Sequence, residues 1–461
     1  MAAESCLSLP IFHHRLVAIA AISQRGLSMQ KQQRSRQLLV LLLSICLFLL
    51  SCVAPQAAQP TDAQPVAEAV GPETADGPAA VPTYATWDEV VAAADGTTVN
   101  WFMWGGADTI NTHVDEQIGG PLLAQYNLTL NRVPLENTAD AVNKVLNEKA
   151  AGKDSGGSID LIWINGENFR TLKDAGLLYG PFTELLPNSA LVNWEDPAVA
   201  YDFGTAVDGY ESPWASFQWV MEYNSANVEN PPKTFEDLRT WIEANPGRFT
   251  YPTPPNHVGS AFIRTLFYWA AGTSEPFLQE FDQAVYDQYA PQVWEYLNAI
   301  EPNLWRNGET YPELGAMPDL LANGEIDFAM EYDASRASNF IQQGRYPDTI
   351  RTFVFDTGTM ANVSYVAIPY NANNPAGAMV LANYLLSPEY QILLTDPAQL
   401  GWLVAIDPTR LSDAEREQLA AIERGVATLP PAELNSHALP EARASWVAPI
   451  EQGWEENVLK K

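Results

Sequence analysis

The chain has 461 residues, with 25 Lys plus Arg against 56 Asp plus Glu, a formal charge of −31 and a pI near 4.3. That balance excludes a nucleic-acid binder working through a basic surface. At 47% hydrophobic and 18% charged, with 14 Trp, 18 Tyr and 17 Phe, the composition is that of a folded globular protein and not of an acidic disordered tail. A length well above about 300 residues favours two lobes over one.

The only long apolar run, residues 38–50, is 13 residues long, short of the roughly 20 needed to span a membrane. Lys31, Arg34 and Arg36 precede it and Leu49-Leu50-Ser51-Cys52 closes it. A basic region, an apolar region and a small residue in that order make residues 1–51 a secretory signal peptide. Leu, a free position, Ser and Cys resembles the lipobox of bacterial lipoproteins, which implies that Cys52 is acylated and becomes the mature N-terminus, anchoring an exported protein at the outer face of the cytoplasmic membrane. Met29 begins a signal of ordinary length; the alternative is an unusually long basic region starting at Met1. Cys6 and Cys46 fall inside the leader, so no disulfide and no thiolate metal site is expected. Cleavage before Cys52 removes five basic residues and one acidic one, leaving 20 against 55 and a charge of −35, a surface that repels nucleic acid and anionic lipid. Residues 53–82 hold 6 Pro and 9 Ala with no Lys, Arg, Phe, Trp or Tyr; such a segment buries too little apolar surface to fold and reads as a tether.

Beyond the tether, strands alternate with helices. Residues 97–104 read as a buried strand stopped by Gly105-Gly106, and Ile110, Val114 and Ile118 mark a helix that Asp108 or Thr109 would cap. A second strand is expected over 126–133, a helix over 138–151 ended by Gly152, and a third strand over 159–164 followed by Asn165-Gly166-Glu167-Asn168 and another helix. Further on, 216–223 alternates as a strand, and Thr234 with Asp237 forms a capping-box pattern. Residues 245–252 form a turn feeding a strand, and 260–271 an aromatic helix. Residues 325–330 and 364–369 are strands, and 376–386 is a helix stopped by Ser387-Pro388. Alternation of this kind implies an α/β protein with parallel or mixed sheets.

Enzyme motifs are missing: there is no G-x-S-x-G elbow, P-loop, G-x-G-x-x-G after a strand, or H-E-x-x-H. After leader removal only His113, His257 and His437 remain, too scattered for a local metal motif. The 55 acids supply carboxylate pairs everywhere, so abundance carries no signal for glycoside hydrolysis. No catalytic residue, cofactor or metal site is expected. What stands out is polar or glycine-rich residues at strand ends: Trp104-Gly105-Gly106, Asn165-Gly166-Glu167-Asn168 and Tyr332-Asp333. In open α/β sheets ligands sit outside the carboxyl ends of strands, and glycine lets backbone approach them. Each point taken singly is also explained as a turn or a cap; three together favour a cleft.

Several strings resemble the YnjB-type branch of the substrate-binding components of bacterial ABC importers. They are Trp104-Gly105-Gly106 with Ile110-Asn111, the run DLIWINGENF at 160–169, Leu178-Tyr179-Gly180-Pro181, Glu211-Ser212-Pro213-Trp214, PGRFTYPTPP at 246–255, and Gly259-Ser260-Ala261-Phe262. The resemblance covers about residues 99–386. One departure is Asn256-His257, where an acidic and an aromatic residue are expected, so ligand choice would differ. The resemblance implies a two-lobed periplasmic-binding-protein-like (type II) fold, with mixed sheets flanked by helices and a hinge between lobes. One lobe would take residues 83–208 and 366–410, the other 209–365 and 411–461, with strands near 209–223 and 355–368 crossing between them. It implies a monomer that captures a small-molecule solute by hinge closure and delivers it to a permease with an ATPase. Thiamine or a related compound is the suggested cargo, with polyamine, ferric ion and sugar as alternatives on the same fold. Trp104, Trp214 and Tyr332 would stack on a flat cationic ring, Glu167 or Asp333 would neutralise its charge, and Trp163 reads as core. Asn111 joins the site through its motif. Ser260 would donate to an anionic group, unless it merely caps its helix. Readings of another class are an exported hydrolase or transferase on the same scaffold and an adhesive surface protein.

Overall fold

The computed structural model describes residues 81–461; the expected signal segment, Cys52 and the expected tether up to residue 80 lie outside the described residues. The strands in chain order are β1 (Thr98–Trp104), β2 (Thr129–Leu135), β3 (Leu161–Ile164), β4 (Tyr201–Asp202), β5 (Thr205–Ala206), β6 (Glu211–Gln218), β7 (Val220–Asn224), β8 (Phe328–Glu331), β9 (Ile350–Phe353), β10 (Thr359–Ala367) and β11 (Ala438–Pro440). They form two main sheets. One has the order β11-β10-β3-β1-β2, with β6 also on β10, and the other the order β8-β7-β9.

The larger sheet is mixed. β1 runs parallel to both β2 and β3, whereas β10 is antiparallel to β3 and β6. Alternation in β1 sends Val99, Trp101 and Met103 into one core with the helix Pro375–Leu385, every residue of which is buried. Ile162, Ile164 and Phe169 pack on the opposite face with Ala141, Val142 and Val145 of the helix Thr138–Ala150. Both faces are covered by helices, as a largely parallel sheet requires. The smaller sheet is antiparallel, and a separate aromatic core of Trp219, Phe235, Phe262, Phe355 and Trp446 packs there. This is the two-lobed mixed α/β architecture expected from the sequence.

Two short chain crossings between the lobes lie side by side. β6 passes into β7 through Trp219 alone, and β9 returns to β10 through residues 354–358. The two are tied together, since Trp219 N–H donates to the Met360 carbonyl at 2.8 Å.

Several local expectations are corrected. The strand expected over 216–223 starts earlier, at Glu211, and breaks at Trp219 where the chain changes sheet. Tyr126 ends the helix Gly120–Tyr126, because Asn127 takes a left-handed φ of 50° and accepts the C-cap role. No strand follows Arg248; Phe249 and Tyr251 are buried by side-chain packing without joining a ladder. The helix expected from Ser260 begins three residues earlier, at His257, with Asn256 as its cap. Thr234 does cap its helix, accepting from Asp237 N–H at 3.1 Å. Among the described residues no helix is long and apolar enough to cross a membrane.

Candidate functional site

The parallel register of β1 and β3 levels Trp104 with Ile164, so the two strand-end motifs stand side by side at one edge of the larger sheet. Trp104 is 40% exposed there. Its neighbours are structural. A Cβ on Gly105 would lie 2.4 Å from Pro134 Cβ, and one on Gly106 2.4 Å from the Trp104 ring, so both glycines are set by close packing. Asn111 braces this turn by donating to the Gly105 carbonyl at 2.9 Å and accepting from Arg132 at 3.1 Å. Both ends of its amide are therefore engaged within the turn.

At the end of β3, Asn165 donates to the Val363 carbonyl of β10 at 2.7 Å. Gly166, at φ 59°, donates its N–H to the buried Asp202 carboxyl at 2.5 Å. Burial pushes Asp202 up to about 7, against the pull of the Gly166 and Asn165 donors. Glu167 and Asn168 form the first turn of the helix Glu167–Asp174, Glu167 exposed and Asn168 half-buried.

The other lobe presents one connected constellation. Glu441 accepts from Tyr332 OH at 2.5 Å, from Asn362 at 3.0 Å and from the Arg264 guanidinium at 2.6 Å. Arg264 and Glu441 are both nearly fully buried, which is tolerable only because the pair is joined and hydrogen-bonded. Ser260, 2% exposed, makes no hydrogen bond of standard geometry through its hydroxyl. It faces Glu451, whose carboxyl burial raises while Ser260 and Arg264 pull it down and Glu167, from across the gap, pushes it up. His257 stacks on Tyr332. It is exposed to solvent, yet desolvation still lowers its pKa, as expected of a side chain lining a cleft.

The two groups meet. Asn362 neighbours Val363 on β10, linking the Asn165 end of β3 to Glu441. The Phe203 carbonyl accepts from Ala444 N–H at 3.1 Å, and the Phe203 ring lies 5.7 Å from the Arg264 guanidinium carbon. Asn165, Gly166 and Glu167 therefore lie close to Arg264, Tyr332 and Glu451 where the two lobes touch. Asp333 sits one residue beyond Tyr332, accepts from Ser335 N–H at 2.9 Å, and is pushed up to about 7 by burial.

Trp214 does not face the gap. It is wholly buried and packs edge-on against Trp101, Trp163 and Trp402, with centroid distances of 5.5, 4.8 and 5.5 Å. A register shift at Ser364/Tyr365 accompanies the Pro213-Trp214 stretch, and Trp214 points to the helix-covered face. The half-buried ring is Trp163, which the sequence assigned to the core. Sequence reasoning also missed Asp202, Phe203, Arg264, Glu441 and Glu451. Only Arg264 carried a signal, a lone charge inside a run of apolar and aromatic residues at 258–271.

Among the described residues no three His, Cys, Asp or Glu side chains are placed to hold a metal ion. Two shallow depressions of about 430 and 410 Å³ lie elsewhere, on the helix Thr138–Ala150 and beside Tyr384 and Ile422, and contain none of these residues.

The sequence profile of the family described as bacterial extracellular solute-binding protein matches residues 120–400. Protein YnjB of Escherichia coli (strain K12) is 38% identical over 369 residues, 80% of this chain and 92% of the relative. In fold the chain is similar to the spermidine/putrescine ABC transporter substrate-binding protein PotD of Streptococcus pneumoniae. The TM-score there is 0.57 at 14% identity, covering 79% of this chain and 99% of the other. It is also similar to IdiA (FutA) of Trichodesmium in complex with iron and citrate, with a TM-score of 0.53 at 16% identity over 78% and 99% of the chains. The chain belongs to the family of bacterial extracellular solute-binding proteins.

Proposed function

We propose that this solute-binding protein is the receptor of an ABC importer, closing two lobes on a flat organic cation and passing it to a permease powered by an ATPase. One set of contacts supports the reading: strand-end residues Asn165, Gly166 and Glu167 of one lobe lie near Arg264, Tyr332 and Glu451 of the other, by way of Phe203, Asn362 and Glu441. Differential contact with the closed form is what lets a ligand drive closure. The lobe division at residues 209, 366 and 411 belongs to this reading.

The cargo class follows from the gap's chemistry. Tyr332 and His257 offer a stacked face, while Glu167 and Glu451 place negative charge on both sides. A delocalised cation satisfies both through cation–π attraction, about 0.5 to 2 kcal/mol, and through charge neutralisation. Thiamine or a related compound has this form, and the Ser260 hydroxyl, which faces Glu451, would turn from it to donate to an anionic substituent. Polyamine is the second reading, favoured by the same acids. We also propose a monomer, exported by the signal segment and held by lipid on Cys52.

The test is thermal unfolding of the full chain against thiamine, its phosphates, spermidine, ferric ion and small sugars. A ligand at 100 times its dissociation constant adds about 2.7 kcal/mol, enough to raise the melting temperature visibly. A rise confined to the thiamine compounds is expected. A rise with spermidine alone would replace thiamine by the second reading, and a rise with a sugar alone would overturn the cation reading.

A further inference from the structure

β4 and β5 form a hairpin whose register pairs Tyr201 with Ala206 and Asp202 with Thr205, leaving a two-residue loop, Phe203-Gly204. Both loop residues have positive φ, 43° and 75°. Two-residue loops of this hand favour Asn-Gly or Asp-Gly, because short polar side chains tolerate the left-handed region. A phenylalanine there is strained, and strain of this kind persists where the surroundings use the residue.

The surroundings of Phe203 lie on both sides of the gap. The hairpin base is fixed to the larger sheet: the Asp202 carboxyl accepts from Gly166 N–H, and Tyr365 OH donates to the Val199 carbonyl at 2.9 Å. On that side the ring lies over Gly166, where a Cβ would come within 3.3 Å of the ring. Its far side meets the other lobe. The Arg264 guanidinium sits over the ring, Ala444 N–H donates to the Phe203 carbonyl, and a Cβ on Gly204 would come within 2.8 Å of the Arg443 side chain. An outer ion pair follows the same path, with Glu280 between Arg443 at 2.8 Å and Arg170 at 3.7 Å.

We propose that Phe203 is a specificity-determining residue of the solute site: its ring walls the gap between Gly166 and Arg264, and its contact with Arg264 and Ala444 sets how far the lobes close. The wall role rests on the receptor reading above; the closure role does not. With Gly166 and the Arg264 cation both against the ring, the part of it left bare admits flat or apolar solute groups and excludes a bulky hydrated one.

Phe203→Asn separates the roles, since Asn suits the turn and lacks the ring. In the full chain this variant is expected to melt at or above the wild type. It should give a larger radius of gyration by small-angle scattering without added solute, and lose hydrogen-exchange protection at the Ala444 amide. An unchanged radius with unchanged Ala444 protection would overturn the proposal and leave Phe203 as packing. If the Asn variant does not fold, the same two readouts on Phe203→Leu decide in the same way. With thiamine as probe, a stabilisation present in the wild type and lost in the variant supports the wall role, and one equal in both overturns it. Absence of stabilisation in the wild type counts against the thiamine reading alone, while scattering and exchange still decide the closure role.

Discussion

The His257 ring lies stacked on that of Tyr332, 5.9 Å between centroids and 25° from coplanar. Desolvation holds the imidazole below its usual range, with Glu331 pulling it up and Arg264 pushing it down. It is therefore mostly neutral at pH 7, and acidification through its depressed pKa adds a positive charge beside Arg264. Affinity for a cationic solute should fall on that acid limb. Titration calorimetry from about pH 7.5 to 4.5 should show the fall in the wild type and a flatter profile in His257→Gln. Identical profiles would remove His257 from the site.

Glu441 is the hub of three hydrogen bonds, and Arg264 is its buried partner. Glu441→Gln leaves a buried guanidinium without its counter-charge, which costs about 3 to 5 kcal/mol. Urea unfolding should report that loss. Replacing Arg264 and Glu441 together by Met and Leu should recover much of it, because the double change removes the uncompensated charge.

Glu211 is fully buried, and neither of its carboxylate oxygens has a partner. Burial raises its pKa well above the usual range; Asp202 raises it further and Lys173 opposes this. Asp202 is itself pushed up to about 7. Both groups bind protons more tightly folded than unfolded, so they make stability fall as pH rises from near 4 through 7. Glu211→Gln and Asp202→Asn should each flatten that slope, and Glu211→Gln should raise the melting temperature most at pH 8. A melting temperature lowered at pH 8 would show that Glu211 is held charged by a partner.

The Trp214 and Trp163 pair separates stability from binding. Trp214→Ala empties a fully buried position and should cost about 3 to 5 kcal/mol. Trp163→Ala removes a half-buried ring and should cost less. If Trp163 lines the solute site, its loss weakens the ligand-induced rise in melting temperature, whereas Trp214→Ala lowers the baseline without changing that increment.

The sheet elements were legible because period-two alternation and turn residues are local signals. β1, β3 and the helix Thr138–Ala150 stand within a few residues of where the sequence places them. The place of Asn165, Gly166 and Glu167 directly after the third strand was legible for the same reason. Trp214 was misplaced because exposure depends on which face of β6 meets the helices, and a one-residue shift reverses that face. Arg264, Glu441 and Glu451 were invisible as a group, since 177 residues separate Arg264 from its partner and only the return of the C-terminal segment joins them. Phe203 escaped because a two-residue hairpin with Phe in place of Asn breaks the turn pattern that would announce it.

The ring ladder has an optical consequence. Phe217 touches both cores and packs on Trp402, and Trp402, Trp163 and Trp101 all pack on Trp214, with contacting centroids 4.8 to 6.2 Å apart. At such separations light absorbed by a deep indole passes to its neighbours before it is emitted. Within this cluster the emission is then weighted towards the outermost indole, Trp163, and the polarity next to it. A solute arriving at the end of β3 would thus be announced by rings that never touch it, giving the chain an internal fluorescent gauge of occupancy that needs no attached dye.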